Sequence, residues 1–168
     1  MKFNKPFKIK IKKIKDKRGF LSELYNKKKL KFNFQHSIIS LSRKNVIRGL
    51  HFRKKSENKI LYVIKGSIID FCINLKNKKI YRFKINEGEG IFIPPKFAHG
   101  YECKDKENLV IYYLSSPYNK SLQSGIIWND KDLNIKWPCK RPLLSINDQN
   151  NLNLSDINLT KYKDLMKL

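Results

Sequence analysis

At 168 residues and 40% hydrophobic content the chain can bury a core of its own, so a single domain spanning 1–168 is expected, without disulfide or metal support. A formal net charge of +23 would ordinarily point to nucleic acid or an anionic membrane, but only six of the 37 basic residues are arginines (Arg18, Arg43, Arg48, Arg53, Arg82 and Arg141) and the lysines are spread over the whole chain. A reader of bases or phosphates concentrates the planar guanidinium fork, so neither a nucleic acid nor a membrane is expected as a partner.

Phe7, Ile9 and Ile11 alternate with lysines, the pattern of a strand with one buried and one solvated face. Its lysine-rich side suits a sheet edge, or a strand lent to a partner subunit. Asp16-Lys17-Arg18-Gly19 reads as a turn, and Phe20 to Tyr25 as a short strand carrying Glu23. Lys27 to Lys31 is a solvated basic connection, after which Ser37 to Ser42 alternates again. Lys59–Ile64, Ser67–Leu75 and Ile80–Ile85 are β-branched or aromatic runs separated by turns at Lys65-Gly66 and Lys76-Asn77-Lys78. A tight turn at Asn86–Gly90 precedes Ile91–Ile93, two prolines, Phe97–Tyr101 and a last strand at Leu109–Leu114. Short strands at this spacing predict an all-β sandwich or barrel. Beyond Tyr118 the chain is loop-rich, and a terminal helix over about 155–168, capped by Ser155 with Leu159, Tyr162 and Leu165 on one face, is expected to pack rather than function.

Cys72, Cys103 and Cys139 are odd in number and far apart, so no disulfide framework or zinc site is indicated and a reducing cytoplasm fits. Residues 1–6 lack the apolar core of a signal peptide, and no stretch approaches a membrane span, so a soluble cytoplasmic protein is expected.

One stretch stands out: Val46-Ile47-Arg48-Gly49-Leu50-His51-Phe52 sets a guanidinium and an imidazole three residues apart in an apolar strand-like run. On a regular strand Arg48 and His51 would face opposite ways, so a bend at Gly49 is expected. The chain has only three histidines (His36, His51 and His99), and an isolated one is more often a satisfied core residue than a functional group. The remaining motifs reverse that reading.

Gly88, Pro94, Lys96 and His99 resemble the second motif of the cupins, with Lys96 where that motif usually has glycine. The paired histidines and glutamate of the first cupin motif are missing, and His51 stands alone there, so a cupin jelly roll that uses no metal is expected. Beyond this, Asp16–Phe20 with Glu23, Arg48–Phe52, Lys59–Leu61, Gly66 with Asp70, Pro95–Tyr101, Gly125–Asp130, Ile135–Pro138 and Leu144–Asp148 match in order the signature blocks of the dTDP-4-dehydrorhamnose 3,5-epimerases. The chain therefore resembles that family over about residues 16 to 150.

The resemblance implies roles residue by residue. His51 matches the general base, Asp148 its carboxylate partner, Tyr112 the acid on the opposite side of the sugar ring, and Lys59 a lysine near the keto oxygen. Arg18, Glu23, Gln35, Arg48, His99 and Gln123 fall on substrate-contacting positions, Tyr118 on an aromatic near the nucleotide, and Asp70 on a buried acid beside the site. It also implies a homodimer, a nucleotide-sugar substrate, most simply dTDP-linked, and no cofactor. The chemistry suits these residue types. A 4-ketone acidifies the hydrogens at C3 and C5 through an enolate, so inversion needs a base on one face, an acid on the other, and no redox group. An imidazole, with an ordinary pKa of about 6.5, is a fitting base.

Departures from the family pattern fall on substrate contacts. His36 and Ile38 stand where a Gln and an Asn are usual, although Gln35 fits after a one-residue shift; Gln123 replaces a glutamate, and Asn147 a lysine. They bear on the nucleotide and sugar more than on the chemistry. Two alternatives stay open: a related cupin enzyme acting at one carbon only, by single epimerisation or 3,4-ketoisomerisation, and a non-catalytic basic module that binds polyanions.

Overall fold

The computed structural model describes residues 3–30, 32–162 and 165. The chain opens with β1 (Phe7–Lys10), then a hairpin of β2 (Ile14–Asp16) and β3 (Gly19–Leu21), then a single helical turn, α1 (Lys27–Leu30). The barrel strands follow: β4 (His36–Arg43), β5 (Ile47–Arg53), β6 (Lys59–Lys65), β7 (Ser67–Asn74), β8 (Ile80–Asn86), β9 (Glu89–Ile93), β10 (Phe97–Cys103) and β11 (Glu107–Leu114). A short β12 (Gln123–Gly125) and a one-turn α2 (Ile146–Gln149) complete the regular elements. All ladders between these strands are antiparallel, in two five-stranded sheets ordered β1-β9-β6-β11-β4 and β12-β5-β10-β7-β8.

Side-chain parity sets what lies between the sheets. Leu61, Val63, Ile91, Ile93, Val110 and Tyr112 of the first sheet meet Ile68, Cys72, Ile85, Phe97, Tyr101 and Cys103 of the second. The outer faces are covered too, which is why β6, β7 and β10 read as continuous apolar runs rather than alternating ones. Ile60, Tyr62 and Phe92 lie under an aromatic layer of Phe3, Phe7, Phe32, Phe34 and Tyr113. On the other side, Leu50, Phe52, Ile69, Phe71 and Ile73 are sealed by Ile126, Leu133, Leu154, Ile157 and Leu165 of the C-terminal loops. Each fully buried Leu or Ile in these layers contributes about 1.5–3 kcal/mol, and this drives the closure.

Two local expectations are corrected and two are sharpened. The strand placed at Phe20–Tyr25 ends at Leu21, leaving Glu23 outside it, because the β2-β3 hairpin has no third strand: Phe20 and Leu21 stay exposed. The basic connection contains the helical turn α1. β1 takes the edge position, one of the two readings its lysine-rich side allowed. It pairs with β9 of its own chain, Phe7 opposite Phe92, where the two rings stack at 5.2 Å. In place of an α-helix from Ser155, residues 154–162 form two 3-10 turns, Leu154–Asp156 and Leu159–Lys161, with Asn153 rather than Ser155 at the first cap. The rest of the expected helix, apart from Leu165, lies outside the described residues.

Candidate active site

The bend expected in β5 is present. Along β10 the register passes from His99 opposite His51 to Tyr101 opposite Arg48, so three steps on β5 face two on β10, a bulge that turns Arg48 and His51 to the same side. Gly49 is required here. Its φ is +126°, and a Cβ would lie 2.5 Å from the Cα of Gly100. The bulge therefore aims both side chains at the barrel interior, beside His99 and across from the first sheet.

The His51 imidazole is 46% exposed, and its Nε2–H donates to Oδ1 of the buried Asp148 at 2.6 Å. Asp148 is held by α2, where the Ser145 hydroxyl caps the turn by accepting from the Asp148 backbone amide at 3.1 Å. Burial pushes the Asp148 carboxyl up, but the His51 hydrogen bond and charge, with Ser145 and the Gly49 amide, hold it below its ordinary 3.8. An ionised partner fixes the proton on Nε2. Nδ1 keeps its free lone pair.

Beside this pair, Nδ1–H of His99 donates to Oδ2 of Asp70 at 3.1 Å, with both residues buried. Burial drives the His99 pKa down, partly opposed by Asp70, so the ring is neutral at neutral pH. The Cys72 thiol donates to the other Asp70 oxygen at 3.1 Å. The facing sheet supplies Tyr112 from β11 and Lys59 from β6, both nearly buried. The Tyr112 and Tyr101 hydroxyls are hydrogen-bonded to each other, and Tyr101 lies 3.1 Å from the Ser40 hydroxyl. Burial, then Tyr101, pushes the Tyr112 phenol well above its ordinary value, and burial takes Tyr101 to about 12, so both are protonated donors. Arg48 donates from Nε to Ser42 at 2.9 Å. Burial pulls the Lys59 amine below its ordinary value, opposed by Glu57 and Asp70.

Thus His51, Asp148, Arg48, His99, Asp70, Lys59 and Tyr112 come together. Others do not. Arg18 is on the outer hairpin, its guanidinium 2.6 Å from Asp16, and Glu23 pairs with Lys29 at 2.6 Å. Among the described residues no hydrogen bond or ion pair joins either of them to the barrel interior. Gln35 and Tyr118 are exposed, and Gln123 is half-buried on β12, opposite Arg53. Sequence reasoning missed Tyr101, Ser40, Arg53 and Glu57. Parity held a signal for two of them: Arg53 is two residues beyond His51 on β5, and Tyr101 two beyond His99 on β10. A separate cleft of about 440 Å³, lined by Phe3, Asn58, Lys76 and Pro95 among others, includes none of the candidate catalytic side chains. Among the described residues no group of three or more His, Cys, Asp or Glu is arranged to hold a metal ion.

Two antiparallel sheets closed over an interior that carries two histidine–carboxylate pairs, a phenol and a buried lysine define a cupin barrel with acid–base groups inside. The sequence profile of the dTDP-4-dehydrorhamnose 3,5-epimerase family matches residues 1–156. The chain belongs to that family. A dTDP-4-dehydrorhamnose 3,5-epimerase from Methanothermobacter thermautotrophicus is 35% identical over 136 residues, covering 73% of this chain and 74% of that protein. One from Shigella flexneri is 30% identical over 150 residues, covering 80% and 83%. The crystal structure of the Bacillus anthracis dTDP-4-dehydrorhamnose 3,5-epimerase, with TDP and PPi bound, superposes with a TM-score of 0.83 at 31% identity, covering 88% of this chain and 93% of that one.

Proposed function

We infer that this chain is a nucleotide-sugar epimerase that takes dTDP-4-dehydro-6-deoxyglucose to dTDP-4-dehydrorhamnose, inverting C3 and C5. The observation that carries the reading is the His51–Asp148 pair on one side of the interior with Tyr112 presented from the opposite sheet. His51 removes the proton from the carbon next to the ketone, and the electron pair moves to the C4 oxygen as an enolate. Tyr112 returns a proton to the other face and completes inversion. Asp148 stabilises the imidazolium that forms, and general-base catalysis of this kind contributes about 10²–10⁴ in rate. Lys59, an ammonium in a water-poor interior, faces the enolate oxygen, an electrostatic contribution of about 3–4 kcal/mol. Arg48 serves the substrate's diphosphate.

A homodimer is part of this reading. β4 is an unpaired edge of the first sheet with Ile39 and Leu41 more than 60% exposed, and the hairpin leaves Ile14, Phe20 and Leu21 in solvent. Pairing two copies would cover these surfaces and blunt the edge. It also gives Arg18 and Glu23, remote from their own barrel, a substrate to contact in the partner's. Incubation with the dTDP-linked 4-keto sugar tests the activity: the expected result is the rhamnose-configured ketone as product, and return of unchanged substrate would reject it.

A further inference from the structure

Glu57, in the connection between β5 and β6, is a carboxylate that the mechanism does not use. Its side chain is 2% exposed. One oxygen, Oε2, accepts from Arg53 Nη1 at 3.2 Å and from the Ser116 hydroxyl at 3.0 Å. The other, Oε1, has no hydrogen bond and lies 3.7 Å from Nζ of Lys59, whose side chain is 9% exposed. Arg53 is itself anchored, donating from Nη2 to the Pro117 carbonyl at 3.0 Å. A carboxylate this deep is costly to ionise unless paired on both oxygens. Here the second oxygen finds only the Lys59 ammonium.

The other carboxylate near Lys59 is Asp70 of β7, and both its oxygens are engaged by His99 and Cys72. The charged and titratable groups facing Lys59 are thus Glu57 from the connection, Arg53 from β5, Asp70 and Cys72 from β7, and His99 from β10. His99 is neutral and the buried thiol is held in its protonated form. Glu57 is the leading attraction opposing the cost of burying the ammonium, and Arg53, on the far oxygen, opposes it weakly. The 3.7 Å separation exceeds a hydrogen bond, so the ammonium keeps its donors for another acceptor.

We propose that Glu57 is a positioning residue for the epimerisation: fixed by Arg53 and Ser116, it keeps Lys59 protonated and holds it where the keto oxygen of the sugar gains charge. This rests on the role given to Lys59 above. Without Glu57 the ammonium would sit buried beside Arg53 with Asp70 already committed, and would lose its proton at lower pH.

The experiment is the pH dependence of enzyme-catalysed deuterium exchange into the 4-keto sugar, for wild type, Glu57→Gln, the Arg53→Gln/Glu57→Gln double variant and Lys59→Met. Glu57→Gln is expected to approach wild type near pH 7 and to fall about ten-fold below it near pH 9, as the ammonium is lost. The double variant removes the repulsion together with the attraction, so its profile should lie between the two. It also keeps the test alive if Glu57→Gln fails to fold. Lys59→Met should be inactive at every pH. If Lys59→Met is inactive but the folded Glu57 variants follow the wild-type profile, the positioning role is overturned. If Lys59→Met keeps wild-type activity, the role of Lys59 itself falls.

Discussion

Nε2 of His51 and Oδ1 of Asp148 are 2.6 Å apart although 97 positions separate them in sequence, one on the bulged strand β5 and the other on the single turn α2. The contact joins the first barrel strands to the C-terminal loops. It sets both the tautomer of the imidazole and the ionisation of the carboxyl.

Replacing His51 by Asn should therefore abolish exchange at both carbons while leaving nucleotide-sugar binding nearly intact, because the base acts in the transition state. The loss should be about two to four orders of magnitude in rate. Calorimetric titration beside the exchange assay separates the two effects.

Asp148→Asn should lower the rate through the tautomer and also change acid stability. The sign follows from the depressed pKa of Asp148. Its stabilisation is complete above the unfolded value of 3.8 and is lost as pH falls through the lower folded value. The contribution is about 1 kcal/mol, reduced from a fully buried charged hydrogen bond because His51 is half-exposed. Denaturant melts at neutral pH and at pH values stepped down from 3.8 should show wild type converging on the variant, and a constant gap would refute the linkage.

Tyr112→Phe keeps the ring packed against the core and removes the hydroxyl bonded to Tyr101. His51 can still take a proton and return a deuteron to the same face. Inversion should slow more than hydrogen washout. Equal losses in both would show that Tyr112 is not the far-face acid.

Lys96 has a φ of +73°, in the left-handed region that costs a side-chain-bearing residue about 1 kcal/mol. Lys96→Gly relieves that strain and loses some in chain entropy, so thermal unfolding should shift upward by a net of about 0.5 kcal/mol. A lower midpoint would mean that the lysine side chain contributes more than its backbone costs.

Much of this was legible in the sequence, for identifiable reasons. Period-two patterning located β1 and β4 because each has one open face, and Gly49, set between Arg48 and His51, announced the bulge. Ordered motif blocks brought Asp148 to His51 when nothing local to Asp148 distinguished it from a turn residue. What escaped was non-local. No pattern in β1 says that Phe7 will stack on Phe92 of its own chain. Strand propensity at Phe20–Tyr25 could not reveal that the hairpin finds no third strand. Nothing in the sequence marks Glu57 out, and only the folded barrel shows it buried between Arg53 and Lys59.

Proton transfer at the two carbons flanking the ketone is read out by NMR of dTDP-4-keto-6-deoxyglucose incubated with the protein in deuterated water. Deuterium is expected at both C3 and C5, with signals of the doubly inverted sugar, and both are expected to be lost in the His51→Asn variant. Deuterium at C3 alone would contradict the double inversion, and enzyme-dependent exchange at neither carbon would contradict the assignment as an epimerase.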